Sequence, residues 1–416
     1  MESVGVDVTV VPRLTVTALG FVLGGILLGT ISGLTPGLHA NNFALLLAGI
    51  APMIPGPPLL VGAAMLSAGV VHTFLDAVPA LALGVPDADM ALAALPGHRL
   101  VIAGQGHEAL RLSALGSGIA VLLAIPLAVP ITYAMMQWYP VLRHHMPLVL
   151  GSLVVVMLLT ESSSVARLGG LSAFLASSAL GFLVLDMTPD APLDGGGVLA
   201  PLFAGLFGAP VLIDAMGGGG VPRQAGPEIT IPGRAVVGPA AAGSVAGAIV
   251  GYLPGVSSAI AAVVALLALP GKYGDRGFII ATSGVNTANT IFALFALVAL
   301  GAPRTGVLVA VNQAGVPLNL PFLLATIAIA SATGFVLVLV VGDWYLETIG
   351  RVDYVVVCGV VLGALVVLSF LFAGFVGIGV FVVSTVLGFL PVRTGAKRVH
   401  LMGVLMGPIM YWTWSY

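Results

Sequence analysis

The chain contains apolar runs that are too long and too free of charge for a soluble domain. The run Phe43–Val71 has no charged residue, and about 20 apolar helical residues cross a hydrocarbon core of roughly 30 Å. Of the 416 residues, 59% are hydrophobic and 7% charged. Because lipid offers no partner to unpaired backbone groups, we expect helices rather than the short alternating strands of a barrel. The sequence therefore predicts an all-α, polytopic integral membrane protein, multi-pass in the cell membrane.

Composition and motifs exclude several functions. The net charge is −2, and the 14 Lys and Arg residues lie in short polar gaps, so no nucleic-acid surface is predicted. The sequence has no GxxxxGK[ST], GxSxG or HExxH motif, so we predict neither an ATP-driven pump nor an enzyme. No catalytic residue is assigned. No cofactor is expected apart from a coupling sodium ion or proton, and no metal site beyond sodium.

Two similar pentapeptides interrupt apolar segments, GLTPG at 33–37 and GYLPG at 251–255. They coincide at an offset of 218, and the LGVP sequence at 83–86 coincides with LGAP at 300–303 at an offset of 217. Two matches in the same order favour a duplicated unit. Because proline and glycine end helices, we predict two internal repeats with broken helices and re-entrant hairpins. The predicted helix-break residues are Gly33, Pro36, Pro86, Gly251, Pro254 and Pro303.

The duplication suggests a division of the chain. We predict an N-terminal tail (1–13), a first transmembrane repeat unit (14–215), a polar Gly/Pro-rich connector (216–234) and a second transmembrane repeat unit (235–416), with accessory helices in both units. Near the end, apolar segments at 352–372 and 374–391 are separated at residue 373.

Small polar residues follow each break and recur in a later helix. Amide and hydroxyl groups beside a helix N-terminus can hold an anion through donors, or a sodium ion through oxygens. They can also simply cap the new helix, and both readings stay open. The predicted substrate-binding residues are Gly37, His39, Asn41, Asn42, Gly255, Ser257, Ser258, Asn286 and Asn289.

Asp76 lies inside an apolar run, Val70–Val85, beside His72 and Thr73. A carboxylate in a membrane segment is costly unless it is paired or protonated. We predict an ion-coupling group at Asp76, with hydroxyls from Thr73, Thr287 and Thr290. The alternatives are a carboxylate locked to a neighbouring helix and one placed in an interfacial loop.

The remaining charges are interpreted from their positions. Arg304 follows the second LGxP element, where it is either the counter-charge of an anionic cargo or a snorkelling charge. The segment containing His98, Arg99, His107, Glu108 and Arg111 is predicted to be a solvated loop. The cluster Arg393, Lys397 and Arg398 is predicted to be cytoplasmic.

Several of these segments resemble, in order, the large membrane subunit of the tripartite tricarboxylate transporters, a TctA-like permease family. They are Leu34–Leu38, Ala88–Gly104, Leu180–Asp214, Gly251–Gly255, Asn286–Asn289 and Leu300–Pro303. The resemblance implies a carboxylate permease with a small membrane subunit or a soluble solute-binding protein as partner. Residues 283–289 have no carboxylate, which departs from the family pattern and leaves the cargo open.

The sequence as a whole predicts a secondary active transporter. It would move a small carboxylate-type anionic metabolite, coupled to sodium or protons, by alternating access around paired Pro-Gly-broken helices. The alternatives are a polyprenyl-phosphate lipid carrier translocase, since Pro254–Ser257 resembles a motif of that family, and a passive channel or structural membrane scaffold. Besides cargo and lipids, the partners considered are the small subunit, the binding protein and a second copy of the chain, with no nucleic acid.

Overall fold

The computed structural model describes residues 12–35, 40–84, 94–192, 197–217, 222–253, 258, 261–262, 265, 273–349, 351 and 353–415. Regular structure in these ranges is helical, which confirms the all-α prediction. Eight stretches there are long and apolar enough to cross a bilayer, and the protein is a multi-pass membrane protein.

The helices are α1 (Pro12–Leu34), α2 (Ala40–Ile50), α3 (Pro58–Leu75), α4 (Ala77–Leu83), α5 (Ala94–Ile102), α6 (Gly106–His144), α7 (Met146–Leu159), α8 (Ser164–Val184), α9 (Leu199–Phe203), α10 (Ala209–Ala215), α11 (Arg234–Tyr252), α12 (Gly274–Leu300), α13 (Gly306–Gln313), α14 (Leu320–Ile349), α15 (Tyr354–Thr394) and α16 (Gly403–Ser415). A π-helical turn, Ala204–Gly208, joins α9 to α10.

Helices α1 and α3 run in the same direction in close contact. On the contact face of α1, every fourth residue is glycine. A Cβ at Gly25 would overlap the Ala64 carbonyl oxygen, and a Cβ at Gly29 would overlap the Ala68 carbonyl oxygen. A Cβ at Gly33 would lie 2.8 Å from the Cβ of Leu75. The contacts advance together along both helices, so glycine is required for this backbone approach, as in small-xxx-small packing.

Helices α11 and α12 repeat this arrangement. A Cβ at Gly243 would overlap the Ala281 carbonyl oxygen, one at Gly247 would lie 2.7 Å from the Ala288 Cβ, and one at Gly251 would lie 2.6 Å from the Phe292 Cβ. The three glycines follow those of α1 by the 218-residue offset between the two pentapeptides. Each helix then ends at a pentapeptide, α1 at Leu34 and α11 at Tyr252.

The two following helices also end alike. A left-handed glycine terminates α4 at Gly84 (φ 66°) and α12 at Gly301 (φ 62°), each in an LGxP sequence. Helix α14 runs parallel to α3, since Gly334 packs at Phe74 and Gly342 at Val78, and opposite to α6, since Phe335 packs at Gly118 and Gly342 at Leu110. Because α6 runs parallel to α12, through the Glu108–Arg276 and Ser117–Thr287 contacts, α3 and α12 run in opposite directions. The α1–α3 and α11–α12 pairs are thus inverted relative to each other.

Ionic and aromatic contacts mark opposite ends of α12. Near its start Arg276 binds Glu108 at 2.8 Å, and just beyond its end Arg304 lies over the Tyr139 ring. Because 27 helical residues extend about 40 Å, longer than a hydrocarbon core of about 30 Å, these contacts lie at opposite membrane surfaces. We name these surfaces the Glu108 face and the Tyr139 face.

Helices α7 to α9, α15 and α16 form a second apolar core beside that of α1 to α6 and α12 to α14, and α10 packs on α15 in a third, smaller cluster. Helix α11 contributes to both of the larger cores. Helix α15 reverses at Ala373 and Gly374, which have non-helical backbone angles, so that Leu365 packs at Gly208 while Gly388 packs at Pro210. The reversal falls at the separation between the two apolar segments read from the sequence.

The mixed-charge segment around α5 and α6 is not a solvated loop, and that prediction was wrong. His98 and Arg99 lie on α5, and the His98 Nδ1 is 3.0 Å from the carbonyl oxygen of Leu81. Glu108 is only 2% exposed because Arg276 and both the backbone N–H and the hydroxyl of Thr230 donate to its carboxylate. The alternation of charges looked solvated, but the acids have specific partners on distant segments.

A buried Glu–His pair closes the second core where α7 turns into α8. The His400 Nε2 lies 2.8 Å from Glu161 Oε1, which also accepts the backbone N–H of Lys397 at 2.9 Å. The His400 Nδ1 atom is buried and has no partner among the described residues. Burial lowers the pKa of His400, more than the neighbouring Glu161 raises it, because a charged ring would need a second acceptor.

We expect Gly29→Ala to destabilise the protein. The new Cβ would overlap the Ala68 carbonyl oxygen, and overpacking costs about 1–3 kcal/mol. Gly20→Ala on the same helix is the control, since a Cβ there meets no atom within 4 Å and alanine favours a helix by about 1 kcal/mol over glycine. Thermal unfolding in detergent checks both. Equal midpoints for the two variants would contradict the close α1–α3 contact.

We expect stability to fall as the pH drops below about 6.5, the pKa of an unfolded histidine. Because the folded His400 has a lowered pKa, the unfolded chain binds its proton first, and the stabilisation present at higher pH is lost. His400→Gln should flatten this dependence while still donating to Glu161. His145→Gln, at an exposed ring, should not. Identical pH profiles for His400→Gln and wild type would contradict the assignment.

Candidate functional site

The break between α3 and α4 places a carboxylate inside the membrane-spanning stretch Pro58–Leu83. Pro79 has no N–H to donate to the Leu75 carbonyl four residues earlier, so the helix is interrupted there, and Asp76 is the residue at the interruption. It is 4% exposed. An acid in this position needs a partner from a neighbouring helix.

Asn286 of α12 supplies that partner. Its Nδ2 donates to Asp76 Oδ2 at 2.6 Å and lies 3.4 Å from the Thr73 carbonyl oxygen. Asn286 is itself 3% exposed. The amide therefore joins α3 to α12 at their crossing, away from both membrane surfaces. This position does not fit the alternative in which Asp76 lies in an interfacial loop. It does fit the alternative in which a neighbouring helix holds the carboxylate.

A chain of hydroxyls extends from this pair to α6. The Thr73 and Thr287 Oγ1 atoms are 3.4 Å apart, and Thr287 Oγ1 donates to Ser117 Oγ at 2.9 Å. Ser117 donates in turn to the Ser283 carbonyl oxygen at 3.1 Å, and the Ser283 and Ser113 hydroxyls are 2.8 Å apart. Three helices thus contribute oxygens to one buried polar cluster.

His72 lies one helical turn before Asp76 and faces α1 and α2. Its Nδ1 is 2.9 Å from Ser32 Oγ. The Ser32 hydroxyl also lies 3.2 Å from the Gly29 carbonyl oxygen. Phe43 of α2 stacks on the ring at a centroid distance of 6.1 Å. His72 is therefore anchored to the elements on both sides of the first pentapeptide.

The second half presents different groups at the matching positions. Asn289 stands at the 217-residue offset from His72, and Ala293 at that from Asp76. The buried Asn289 Oδ1 and Ser258 Oγ have no hydrogen-bond partner within the described ranges. Thr290, matched to Thr73, is also buried. At these matched positions, only the first half has a carboxylate, at Asp76. The second half has buried acceptor atoms at Asn289 and Ser258.

The sequence-predicted residues separate into three groups. Asp76, Thr73, Asn286 and Thr287 come together in the polar cluster, and Asn289 and Thr290 lie along α12 from it. Asn41 and Asn42 lie in α2, but the structure does not describe the positions of their side chains. Pro303 follows the end of α12. Gly37, His39, Gly255, Ser257, Pro36, Pro86 and Pro254 lie outside the described residues.

Four serines of the cluster and its anchor were not among the predicted residues: Ser32, Ser113, Ser117 and Ser283. A signal for them exists in the spacing. Ser113 and Ser117 on α6, and Ser283 and Thr287 on α12, are four residues apart and so share a helical face. Hydroxyl pairs at this spacing in apolar helices indicate a polar seam between helices.

The cluster's chemistry is that of hard oxygen donors. One carboxylate, several hydroxyls and backbone carbonyls suit a proton or a sodium ion. Within the described ranges no three His, Cys, Asp or Glu side chains converge as a metal-ion site. Together, the fold and the site define the class of this protein. It is a multi-pass α-helical membrane protein with an ionisable side chain where two central helices cross.

Comparison with known proteins identifies the family of the chain. A sequence model described as the tripartite tricarboxylate transporter TctA family matches residues 19–403. The chain belongs to that family. It is 26% identical over 408 residues to an uncharacterized protein of Methanocaldococcus jannaschii, covering 94% of this chain and 98% of the relative. No solved structure matches.

We expect Asn286→Ala to lower the free energy of unfolding by about 1–3 kcal/mol, because the buried Asp76 carboxylate loses the hydrogen bond from this amide. Adding Asp76→Ala should recover part of the loss, since the carboxylate that needed the donor is gone. Thermal unfolding of both single variants and the double variant measures the coupling. Additive losses would show that the two side chains do not interact.

Proposed function

We propose that the protein is a secondary active transporter that moves a small carboxylate-type anion together with sodium or protons. Membership of a tricarboxylate transporter family supports the transport role. The observation that carries the coupling proposal is the buried Asp76 carboxylate, bonded to Asn286 where the two inverted helix pairs meet. An ionisable group in such a position is a functional candidate in membrane proteins.

Asp76 is proposed as the coupling group. Binding a proton or sodium ion would neutralise a charge that is costly in a membrane interior. The Thr73 and Thr287 hydroxyls lie beside it and would contribute oxygens, with Thr290 further along α12. Since Ala293 stands at the matching position of the second half, the proposal is a single carboxylate-based coupling site.

The cargo is proposed to bind beside this group, between the two pentapeptides. Asn289 and Ser258 have buried polar atoms without a hydrogen-bond partner in the described part of the chain, and both side chains can also donate to an anion. Asn41, Asn42 and the residues of the two breaks complete the proposed set. Helix N-termini there would favour negative charge.

Alternating access is proposed to arise from the duplicated, inverted units. The matched glycine contacts of α1–α3 and α11–α12 and their opposite directions support an inverted repeat, an arrangement common in secondary transporters. The duplication and the re-entrant hairpins are part of this proposal. The family description also supports a small membrane subunit or solute-binding protein as partner.

Thermal stabilisation of the purified protein tests the cargo class. We expect sodium, or a lower pH, to enhance the stabilisation by one member of a panel of di- and tricarboxylates. A shift caused only by short-chain polyprenyl phosphates would support the lipid-carrier alternative instead. Ion-independent, non-saturable carboxylate flux in proteoliposomes would identify a passive channel and contradict coupling.

We expect Asp76→Asn to abolish uptake driven by an ion gradient while allowing exchange of cargo across the same vesicles. The amide is similar in size but can neither ionise nor bind a proton in the pH range of the assay. Asp275→Asn is the control, because that acid pairs with an exposed arginine at the Glu108 face. Gradient-driven uptake by Asp76→Asn at the wild-type rate would contradict the coupling role.

A further inference from the structure

An open cavity of about 550 Å³ lies at the Tyr139 face, remote from the central cluster. Its lining comes from the end of α6 and from α16. The lining residues are Tyr139, Pro140, Arg143, His144, Trp412 and Thr413. Aromatic rings, a guanidinium, an imidazole and hydroxyls therefore surround one space.

Two arginines at or beside this cavity have no acidic partner in the part of the chain that the structure describes. Arg304 lies over the Tyr139 ring, 5.2 Å from its centroid, and its Nη2 donates to the Tyr139 hydroxyl. The buried Nε of Arg304 has no hydrogen-bond partner in the described ranges. Among the described residues, neither Arg143 nor Arg304 forms an ion pair. The cavity thus offers positive charge to an anion.

The cavity lies at the level where lipid headgroups meet the protein. Tyr133, Trp138 and Tyr411, beside it on α6 and α16, have exposed rings, as is typical of the aromatic belt at a membrane interface. Exposed apolar side chains of α6 such as Val129 continue toward the bilayer centre. The cavity is therefore beside lipid.

The distribution of cationic side chains between the two membrane faces also supports an anion-binding role for this cavity. Helix α8 ends at the Tyr139 face, because Phe182 contacts Tyr411 beside Trp412. Its 21 residues extend about 32 Å, so its start lies at the opposite face. Described cations at the Glu108 face are Arg99, Arg111, Arg167, Arg223, Arg234, Arg276, Arg351, Arg393, Lys397 and Arg398.

The Tyr139 face has few cations in comparison. Those described there are Arg143 in the cavity lining, Arg304 against Tyr139 beside it, and Arg13 at the start of α1. By the positive-inside rule, the cation-rich Glu108 face is cytoplasmic. Membrane topology therefore does not explain why two arginines and a histidine lie together at the opposite face. Binding of an anionic ligand would explain it.

We propose that this cavity binds the phosphate of an anionic lipid headgroup in the non-cytoplasmic leaflet. Arg143 and His144 would contact the phosphate, with Arg304 held by Tyr139 behind them, and Trp412 would lie at the glycerol level. Arginine suits this role because its planar group donates to two phosphate oxygens at once. The proposal is independent of the transported cargo.

The test is lipid binding to the full chain in detergent, followed by native mass spectrometry and by thermal unfolding. Phosphatidylglycerol should bind and stabilise the wild type, and phosphatidylcholine should do so at least tenfold more weakly. Glycerol 3-phosphate and inorganic phosphate supply the same phosphate chemistry without acyl chains, and both should have little effect. Equal stabilisation by phosphatidylcholine, or by glycerol 3-phosphate, would overturn the proposal.

Variants locate the site. Arg143→Gln combined with His144→Gln should weaken phosphatidylglycerol binding at least tenfold, while Arg143→Lys should retain part of it. Arg351→Gln, at the Glu108 face, is the matched control and should bind as the wild type does. Both positions of the double variant are exposed, so folding should persist, which its lipid-free unfolding midpoint verifies. Wild-type binding by the double variant would contradict the proposal.

Discussion

The hydrogen bond between Asp76 and Asn286 is the interaction on which the centre of this protein depends. A carboxylate between membrane helices is unfavourable unless a donor meets it, and an amide from the other half of the chain donates to it at 2.6 Å. This requirement fixes the relative position of α3 and α12 along their crossing. The hydroxyls of Thr73, Thr287 and Ser117 then fall into one chain that reaches α6.

Close glycine contacts make that crossing possible from both sides. The α1 and α11 backbones approach α3 and α12 where side chains would overlap carbonyl groups. Each of these two helices ends within a Pro-Gly pentapeptide, α1 at Leu34 and α11 at Tyr252. The two halves differ where chemistry is concerned, since one presents Asp76 and His72 and the other Ala293 and Asn289. Matched glycine contacts thus surround a polar centre whose groups differ between the two halves.

The sequence alone was sufficient for the all-α membrane class and the family, because apolar length and ordered motifs carry that information. It also singled out Asp76, Thr73, Asn286 and Thr287, since polar groups in apolar runs are conspicuous. It missed Ser113 and Ser117, because single serines in apolar helices usually bond to their own backbone. Glu108 was misread as solvated because its partners, Thr230 and Arg276, are distant in sequence. Pairing across such separations is decided by packing.

The antiparallel crossing of α3 and α12 is the central claim, and cysteine cross-linking tests it most directly. In a Cys358→Ala background, Thr73→Cys with Thr287→Cys should form a disulfide on mild oxidation, because the two native Oγ1 atoms are 3.4 Å apart. Thr73→Cys with Thr282→Cys, about 7.5 Å further along α12 by helical rise, should not. Mass spectrometry of the linked peptides gives the readout. Cross-linking of the second pair but not the first would contradict the account.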